Sequence, residues 1–225
     1  MNWEPIILTA KLASVVSVIL VIIGVPIAYW ISFSKWRWKF LIEAVVALPL
    51  VLPPTVLGFY ILVAISPNNL IGRLWVELFG ATLPFSFSGL VIASVFYSLP
   101  FAVQPFASSF ETVDRRLIEA AWTLGSSKVK TFFTIIIPLS VSGIITGIVL
   151  SFAHTLGEFG VVLMVGGNIP GVTRTVSIDI YDNVQALKYS EAASTAFFLL
   201  IVSFLILSIV YAVNRKVWSV WPQRF

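Results

Sequence analysis

The chain has 225 residues, of which 59% are hydrophobic and 11% are charged, whereas about 25% are charged in ordinary soluble domains. This composition predicts an integral membrane protein, and the net charge of +4 does not indicate nucleic-acid binding, because nearly all basic residues flank apolar runs. The absence of cysteine excludes disulfides, thiolate nucleophiles and cysteine-ligated metal sites.

Five apolar runs are long enough to cross a bilayer, since a spanning helix needs about 20 residues. The first run has no basic leader and is too long for the apolar part of a signal peptide, so we expect a retained span. We therefore predict an all-α integral membrane protein with about five transmembrane helices. Residues 6–213 would form its membrane domain, and residues 214–225 would form a cytoplasmic tail. The runs cover approximately residues 12–33, 44–65, 89–110, 136–154 and 192–213.

Lysine and arginine lie mainly on one side of these spans. The opposite loops carry only Arg73, Arg174 and Lys188, with Lys11 at the edge of the first span. Because cytoplasmic loops carry an excess of Lys and Arg, we expect the amino terminus outside and the carboxyl terminus in the cytoplasm. The residues that define the cytoplasmic side are Lys35, Arg37, Lys39, Arg115, Arg116, Lys128, Lys130, Arg215, Lys216 and Arg224.

The second run contains "LPLVLPP", which places Pro49, Pro53 and Pro54 within a predicted span. Each proline removes a backbone donor and favours a kink or a break. A purely structural role, in which the prolines bend the helix, is sufficient to explain them. Broken helices at membrane depth, however, also line solute paths. The sequence leaves both interpretations open.

The loop 111–135 contains a short amphipathic helix that ends in a glycine. Helical spacing places four apolar residues on one face and Glu119 on the other. Gly125 fits a left-handed stop, and Ser126 or Ser127 can cap a second helix that runs into the fourth span. The predicted helix suits docking into a groove of a cytoplasmic protein, or else lies at the lipid headgroups. Its apolar face is formed by Leu117, Ala120, Ala121 and Leu124.

Along the fourth run, Gly143, Gly147 and Ser151 form a stripe of small residues that favours close helix packing. No ionisable residue lies at the middle of a span, which disfavours an ion-coupled transporter or an embedded enzyme. Glu43 and Glu158 lie near span ends, where the simplest expectation is a carboxylate that reaches water. There is no P-loop and no zinc signature, so we predict neither a catalytic residue nor a metal on this chain.

The residues Glu119, Ala120, Ala121 and Gly125, followed by Ile135 and Pro138, resemble the cytoplasmic "EAA" loop of type I ABC importer permeases. The family pattern is E-A-A-x₃-G-x₉-I-x-L-P, and Ile137 replaces its leucine. The resemblance implies the type I importer permease fold, with this loop as a coupling helix seated in a cleft of an ATPase subunit. ATP would then bind the partner subunit and no cofactor would bind this chain, which is not an enzyme by itself.

Three stretches narrow the resemblance to the molybdate permease branch of these importers: "LPLVLPPTVLGFYILV", "RLIEAAWTLGSSKVKTFFTIIIPLS" and "SFAHTLGEFGVVLMVGGNIPGVTRT". The branch implies a homodimer in the prokaryotic plasma (inner) membrane, surrounded by lipid and joined to two P-loop ATPases. A periplasmic or lipid-anchored protein would deliver the oxyanion. Tungstate or sulfate/thiosulfate permeases are the alternatives within the class, and a passive anion channel is the alternative outside it.

The outer stretch 155–191 is too polar in its second half to span, although "FGVVLMV" suits a re-entrant or interfacial helix. Under the resemblance, polar residues of this stretch would contact the oxyanion or its delivery protein. A solvated loop is the other interpretation. The candidates are Glu158, Asn168, Thr173, Arg174 and Thr175.

Overall fold

The computed structural model describes residues 2–220, and the side chains of residues 2–212. Arg224, predicted on the cytoplasmic side, lies outside the described residues. Every regular element from residue 2 to 220 is helical, which confirms the predicted fold class. The elements are α1 (Trp3–Phe33), α2 (Lys39–Val51), α3 (Pro54–Ile65), α4 (Leu70–Phe79), α5 (Phe87–Glu111), α6 (Arg115–Thr123), α7 (Lys128–Thr131), a π-helical turn (Phe132–Ile136), α8 (Ile137–Leu139), α9 (Val141–Gly157), α10 (Gly160–Gly166), α11 (Val176–Gln185) and α12 (Tyr189–Val220).

Three helices within the described part are long and apolar enough to cross a membrane without a break: α1, α5 and α12. Two further units consist of helices joined at a bend. The pair α2 and α3 is bent by 116°, and the segment α7–α8 is bent by 74° relative to α9. If each bent pair is one span, these five units correspond to the five predicted apolar runs.

Helices α1, α5 and α9 pack together around the main hydrophobic core. Phe106 of α5 is fully buried there and lies against glycines of both neighbours. A Cβ atom added at Gly147 of α9 would lie 2.5 Å from the Phe106 ring and 2.8 Å from the Ala102 carbonyl oxygen. A Cβ added at Gly24 of α1 would lie 3.3 Å from the same ring. The close approach of these helices therefore depends on residues without side chains.

The helix of the second spanning unit is interrupted at the prolines, as the sequence predicted. Helix α2 ends at Val51, and α3 begins at Pro54 with Pro53 as its amino-terminal cap. Pro49 lies inside α2 and is buried, without ending that helix. The two adjacent prolines lack backbone donors, so the chain is unable to continue the helical hydrogen-bond pattern through them.

The fourth unit differs from the continuous helix that the sequence predicted. After α7 the chain forms the π-helical turn and the three-residue α8, and it then bends at Ser140 before α9. Pro138 has no amide hydrogen for the expected i→i−4 bond, which gives a physical reason for the irregular winding. Two hydrogen bonds attach the bend to α5: Ser109 Oγ donates to the Ser140 carbonyl (3.1 Å), and Ser140 Oγ donates to the Ser109 carbonyl (3.3 Å).

A second, smaller core holds α10 against α3 and α5. The helices approach closely, because a Cβ at Gly58 would lie 2.8 Å from Met164, and one at Gly160 would lie 2.8 Å from Pro54. Helix α10 contains most of the "FGVVLMV" stretch, and its seven residues are too few to span a membrane. The sequence analysis assigned no helix to residues 70–79 or 176–185, which form α4 and α11.

Candidate functional site

Helix α6 has well-defined ends that its own sequence supplies. The Asp114 side chain caps the amino terminus by accepting a hydrogen bond from the Arg116 amide at 2.9 Å. At the other end, the amide of Gly125 donates to the Trp122 carbonyl, and the amide of Ser126 donates to the Ala121 carbonyl. Gly125 has φ of +82°, as predicted for a left-handed stop. Ser127 then caps α7 by accepting from the Lys130 amide.

The apolar residues of α6 are divided between the protein interior and the surface. Ile118 is only 4% exposed and joins the main core, so it anchors the helix. Leu124 is 87% exposed, and Leu117 and Trp122 are about half-exposed. The predicted face therefore presents apolar side chains that no other part of the described chain covers. The sequence analysis missed Ile118 and Trp122, although both are large apolar residues in a short polar helix.

The remaining predicted residues of α6 and of the junction are placed as follows. Glu119 and Ala120 are exposed, while Ala121 is half-buried. Ile135 lies in the π-helical turn, half-buried against the core, and Pro138 is exposed in α8. The EAA residues and their junction to the fourth span thus lie along one irregular segment that leads directly to the bend at Ser140.

In the outer segment, Arg174 is engaged by neighbouring side chains. Its Nε donates to Asn168 Oδ1 at 2.6 Å, and its guanidinium lies 3.6 Å from the Asp182 carboxylate. Asn168 Nδ2 also donates to Asp182 at 2.6 Å. The Thr173 hydroxyl is buried and accepts from the Ile169 amide, so it stabilises the turn. The arginine and the asparagine therefore form one network with α11, rather than two separate anion-binding groups.

One buried hydrogen bond joins this segment to the rest of the fold, and a second buried hydroxyl lies next to it. The Thr9 hydroxyl of α1 accepts a hydrogen bond from the Val176 amide at 2.9 Å, while the Thr175 hydroxyl is buried without a hydrogen-bond partner. Burial raises the pKa of the Asp179 carboxyl group, and the nearby positive charge of Arg174 opposes this effect. The outer segment is thus held to α1 at the amino-terminal end of α11.

Glu158 does not reach water, contrary to the simplest expectation for a carboxylate at a span end. It is 3% exposed, and neither carboxyl oxygen has a hydrogen-bond partner. The reason is tertiary: directly after Glu158 the chain folds back into α10, which packs on α3 and α5. Glu43, by contrast, remains partly exposed and lies 3.5 Å from Lys39.

The small residues of α9 lie along its contact with α5. A Cβ at Gly143 would lie 2.2 Å from the Ser109 Cβ, and Gly147 contacts Phe106 in the same way. Ser151 is fully buried and donates to the Ile148 carbonyl.

At the outer end of this helix, Pro54 of α3 and Glu158 line one cavity. No group of His, Asp and Glu residues that could hold a metal occurs in the described part of the chain.

Comparisons with known proteins agree with this architecture. The family model described as "Binding-protein-dependent transport system inner membrane component" matches residues 20–219. The molybdenum transport system permease protein ModB of Azotobacter vinelandii is 53% identical over 208 residues, which cover 92% of each chain. Its counterpart from Escherichia coli (strain K12) is 38% identical over 184 residues, covering 82% of this chain and 80% of the relative.

Solved structures show the same fold at low sequence identity. The MetNI methionine ABC transporter matches with a TM-score of 0.72 and 14% identity, covering 95% of this chain and 94% of that chain. A bacterial ABC transporter that imports alginate matches with a TM-score of 0.71 and 16% identity, covering 96% and 80%. The chain belongs to the family of inner membrane components of binding-protein-dependent transport systems.

Proposed function

We propose that this chain is the permease subunit of an ATP-driven molybdate importer, with its amino terminus outside and its carboxyl terminus in the cytoplasm. The assignment of molybdate as the substrate rests on the 53% identity, over 92% of both chains, to a molybdenum transport permease. Tungstate and sulfate/thiosulfate remain the competing substrates, because the amino-acid composition of the chain does not distinguish one tetrahedral dianion from another.

The ATPase partner is inferred from the exposed face of α6. Leu117 and Leu124 are held outward on a helix whose two ends are capped and whose Ile118 is anchored in the core. Such a rigid amphipathic helix suits a groove on a partner protein. We assign this face to a P-loop ATPase that binds ATP, so that closure of the ATPases moves the membrane segment through the bend at Ser140.

Two copies of the chain would form the transport unit, each with its own ATPase. One chain of five spanning units supplies half of a path, and a symmetric dimer would place the path on the two-fold axis. Many apolar residues of α2 and α3 are exposed, including Val51 at 82% and Tyr60 at 64%, and lipid or the second copy would cover them. A passive channel would require neither the second copy's ATPase nor the coupling helix.

The test is uptake into energised vesicles that contain this chain, its ATPase and its capture protein. We expect accumulation of molybdate and tungstate, with far less sulfate, and no uptake without ATP. Selectivity should follow the capture protein, because such a protein can enclose the anion in fixed donors, whereas the described spans carry no fixed positive charge at mid-membrane. Arg174→Ala should weaken uptake without changing the order of anions.

The decisive comparison uses a capture protein that is engineered to bind sulfate but keeps its docking surface. Sulfate uptake with this partner is the expected result. Persistent preference for molybdate would show that the membrane path itself selects the anion. Conductance of the purified chain without ATPase would instead favour the passive channel.

A further inference from the structure

Helix α4 joins the end of α3 to the start of α5, and its residues divide among three faces. Gly72 packs on the preceding turn, because a Cβ added there would collide with the Ser66 carbonyl oxygen. Trp75 packs against the second core. Arg73 and Glu77, the two charged residues of the helix, are exposed and lie one turn apart. The remaining face, called here the apolar face of α4, consists of Leu70, Ile71, Leu74 and Leu78.

The apolar face of α4 is exposed and purely aliphatic. Its spacing of i, i+1, i+4 and i+8 places the four side chains next to one another. Leu78 is 76% exposed, and the other three are each about half exposed. The face has no hydroxyl, amide or charged group, so it offers no side-chain hydrogen bond to a partner. The helix has 10 residues, which are too few to cross a bilayer, so it must lie along a surface.

The position of α4 favours the bilayer as the cover of this face. Only residues 66–69 separate it from α3, the second half of a spanning unit, and residues 80–86 separate it from the unbroken span α5. Both ends of α4 are therefore tied to the same membrane surface. The rings of Trp75 and Phe79 lie 4.2 Å apart, and tryptophan is enriched at the level of the lipid headgroups. The neighbouring end of α3 also exposes apolar side chains, those of Phe59, Tyr60 and Val63.

We propose that α4 lies in the interface of the outer leaflet, with its apolar face among the acyl chains and with Arg73 and Glu77 toward water. A protein that binds and leaves generally uses a surface no more apolar than the rest of a protein surface. A delivery protein would also return these aliphatic side chains to water after each cycle, whereas lipid covers them throughout. The inference goes beyond the proposed function and does not depend on which anion is transported. Because Gly72 holds α4 closely to the turn after α3, the outer end of α3 is kept at a fixed depth in the bilayer.

The experiment uses the absence of cysteine from the chain, since one introduced cysteine carries a fluorophore at a single site. Leu78→Cys places the fluorophore on the apolar face of α4, and Glu77→Cys, at the adjacent exposed position, is the matched control. Each variant is reconstituted with a cysteine-free form of its ATPase in phosphatidylcholine vesicles. Brominated acyl chains should quench the fluorophore at position 78 more than that at position 77. Iodide on both sides of the membrane should quench position 78 about fivefold less than position 77, because an ion is costly to move into an apolar phase.

Equal iodide quenching at the two positions would overturn the proposal. Iodide protection of position 78 that appears only after the capture protein is added would assign the face to that protein instead. Protection from both quenchers, together with disulfide formation between two unlabelled Leu78→Cys chains, would assign it to a second copy. If Leu78→Cys does not assemble, Leu74→Cys, one turn away on the same face, is decided by the same outcomes. Loss of molybdate and tungstate uptake by the wild-type complex would contradict the proposed function and would leave the position of α4 unaffected.

Discussion

The α5–α9 interface and the short helix α6 both rely on small and apolar residues, but only the first covers them within the chain. At the interface, Gly143 and Gly147 lie directly against Ser109 and Phe106. On α6, Leu124 is 87% exposed, and a Cβ at the neighbouring Gly125 would contact nothing within 4 Å. Small residues at the interface are explained by packing, whereas Gly125 is explained by its left-handed backbone, and the exposed Leu124 is left for a partner or the lipid surface to cover.

The contrast predicts different consequences for equally simple substitutions. Changes at the interface should lower stability, because the space is already filled. Changes on α6 should leave the fold intact and alter the proposed contact with the ATPase. The bend at Ser140 lies between the two regions and should show a mixture of both effects.

The largest effect is expected for Gly147→Leu. A side chain there would collide with the Phe106 ring and with the Ala102 carbonyl oxygen, and a backbone atom is unable to move aside as a flexible side chain can. Overpacking of this kind costs about 1–3 kcal/mol, and occasionally more. The measurement is the thermal unfolding midpoint in detergent, with Val141→Leu as control because Val141 lies on the same helix and is 40% exposed. An unchanged midpoint for Gly147→Leu would contradict the close approach.

An intermediate effect is expected for Gly125→Asp, and it should be functional. The residue has φ of +82°, where a side chain is strained by roughly 1–2 kcal/mol. The acidic side chain would also enter the proposed contact with the ATPase. We expect normal membrane insertion, reduced copurification of the ATPase and uptake that is lower by about tenfold, which corresponds to about 1.4 kcal/mol.

Gly80→Asp is the matched control for this substitution. Gly80 also has a left-handed backbone, with φ of +68°, and open space at its Cβ, but it ends α4 on the opposite side of the membrane in the proposed orientation. Equal loss of uptake in both variants would attribute the effect to backbone strain alone. Normal uptake by Gly125→Asp would remove the docking assignment of α6.

Features that depend on local chemistry were predictable from the sequence. The break at Pro53 and Pro54 follows from two missing backbone donors. The end of α6 at Gly125 and the cap at Ser127 follow from residues that stabilise helix ends in any context. These elements need no information about distant parts of the chain, so the sequence analysis located them closely.

Features that depend on tertiary contacts were not predictable in the same way. The burial of Glu158 arises because α10 folds back against α3, and the network of Arg174 depends on Asp182 in the next helix. Ile118 was missed because its burial depends on packing of α6 against the main core. In each case the sequence shows the residue type, but the residues that it contacts in the fold lie several residues or several helices away along the chain.

The smallest effect is expected for Ser109→Ala, which tests whether the interface and α6 act as one mechanical unit. The substitution keeps the Cβ that contacts Gly143, but it removes the hydroxyl that donates to the Ser140 carbonyl at the bend. Loss of one such bond costs about 1 kcal/mol, so the unfolding midpoint should fall only slightly. Because the segment from α6 enters the membrane through this bend, a looser attachment to α5 should lower uptake per ATP hydrolysed while ATPase copurification stays normal. Lower copurification would instead place the defect at α6, and an unchanged ratio of uptake to ATP hydrolysis would show that the bend transmits motion without the hydrogen bond that the Ser109 hydroxyl donates.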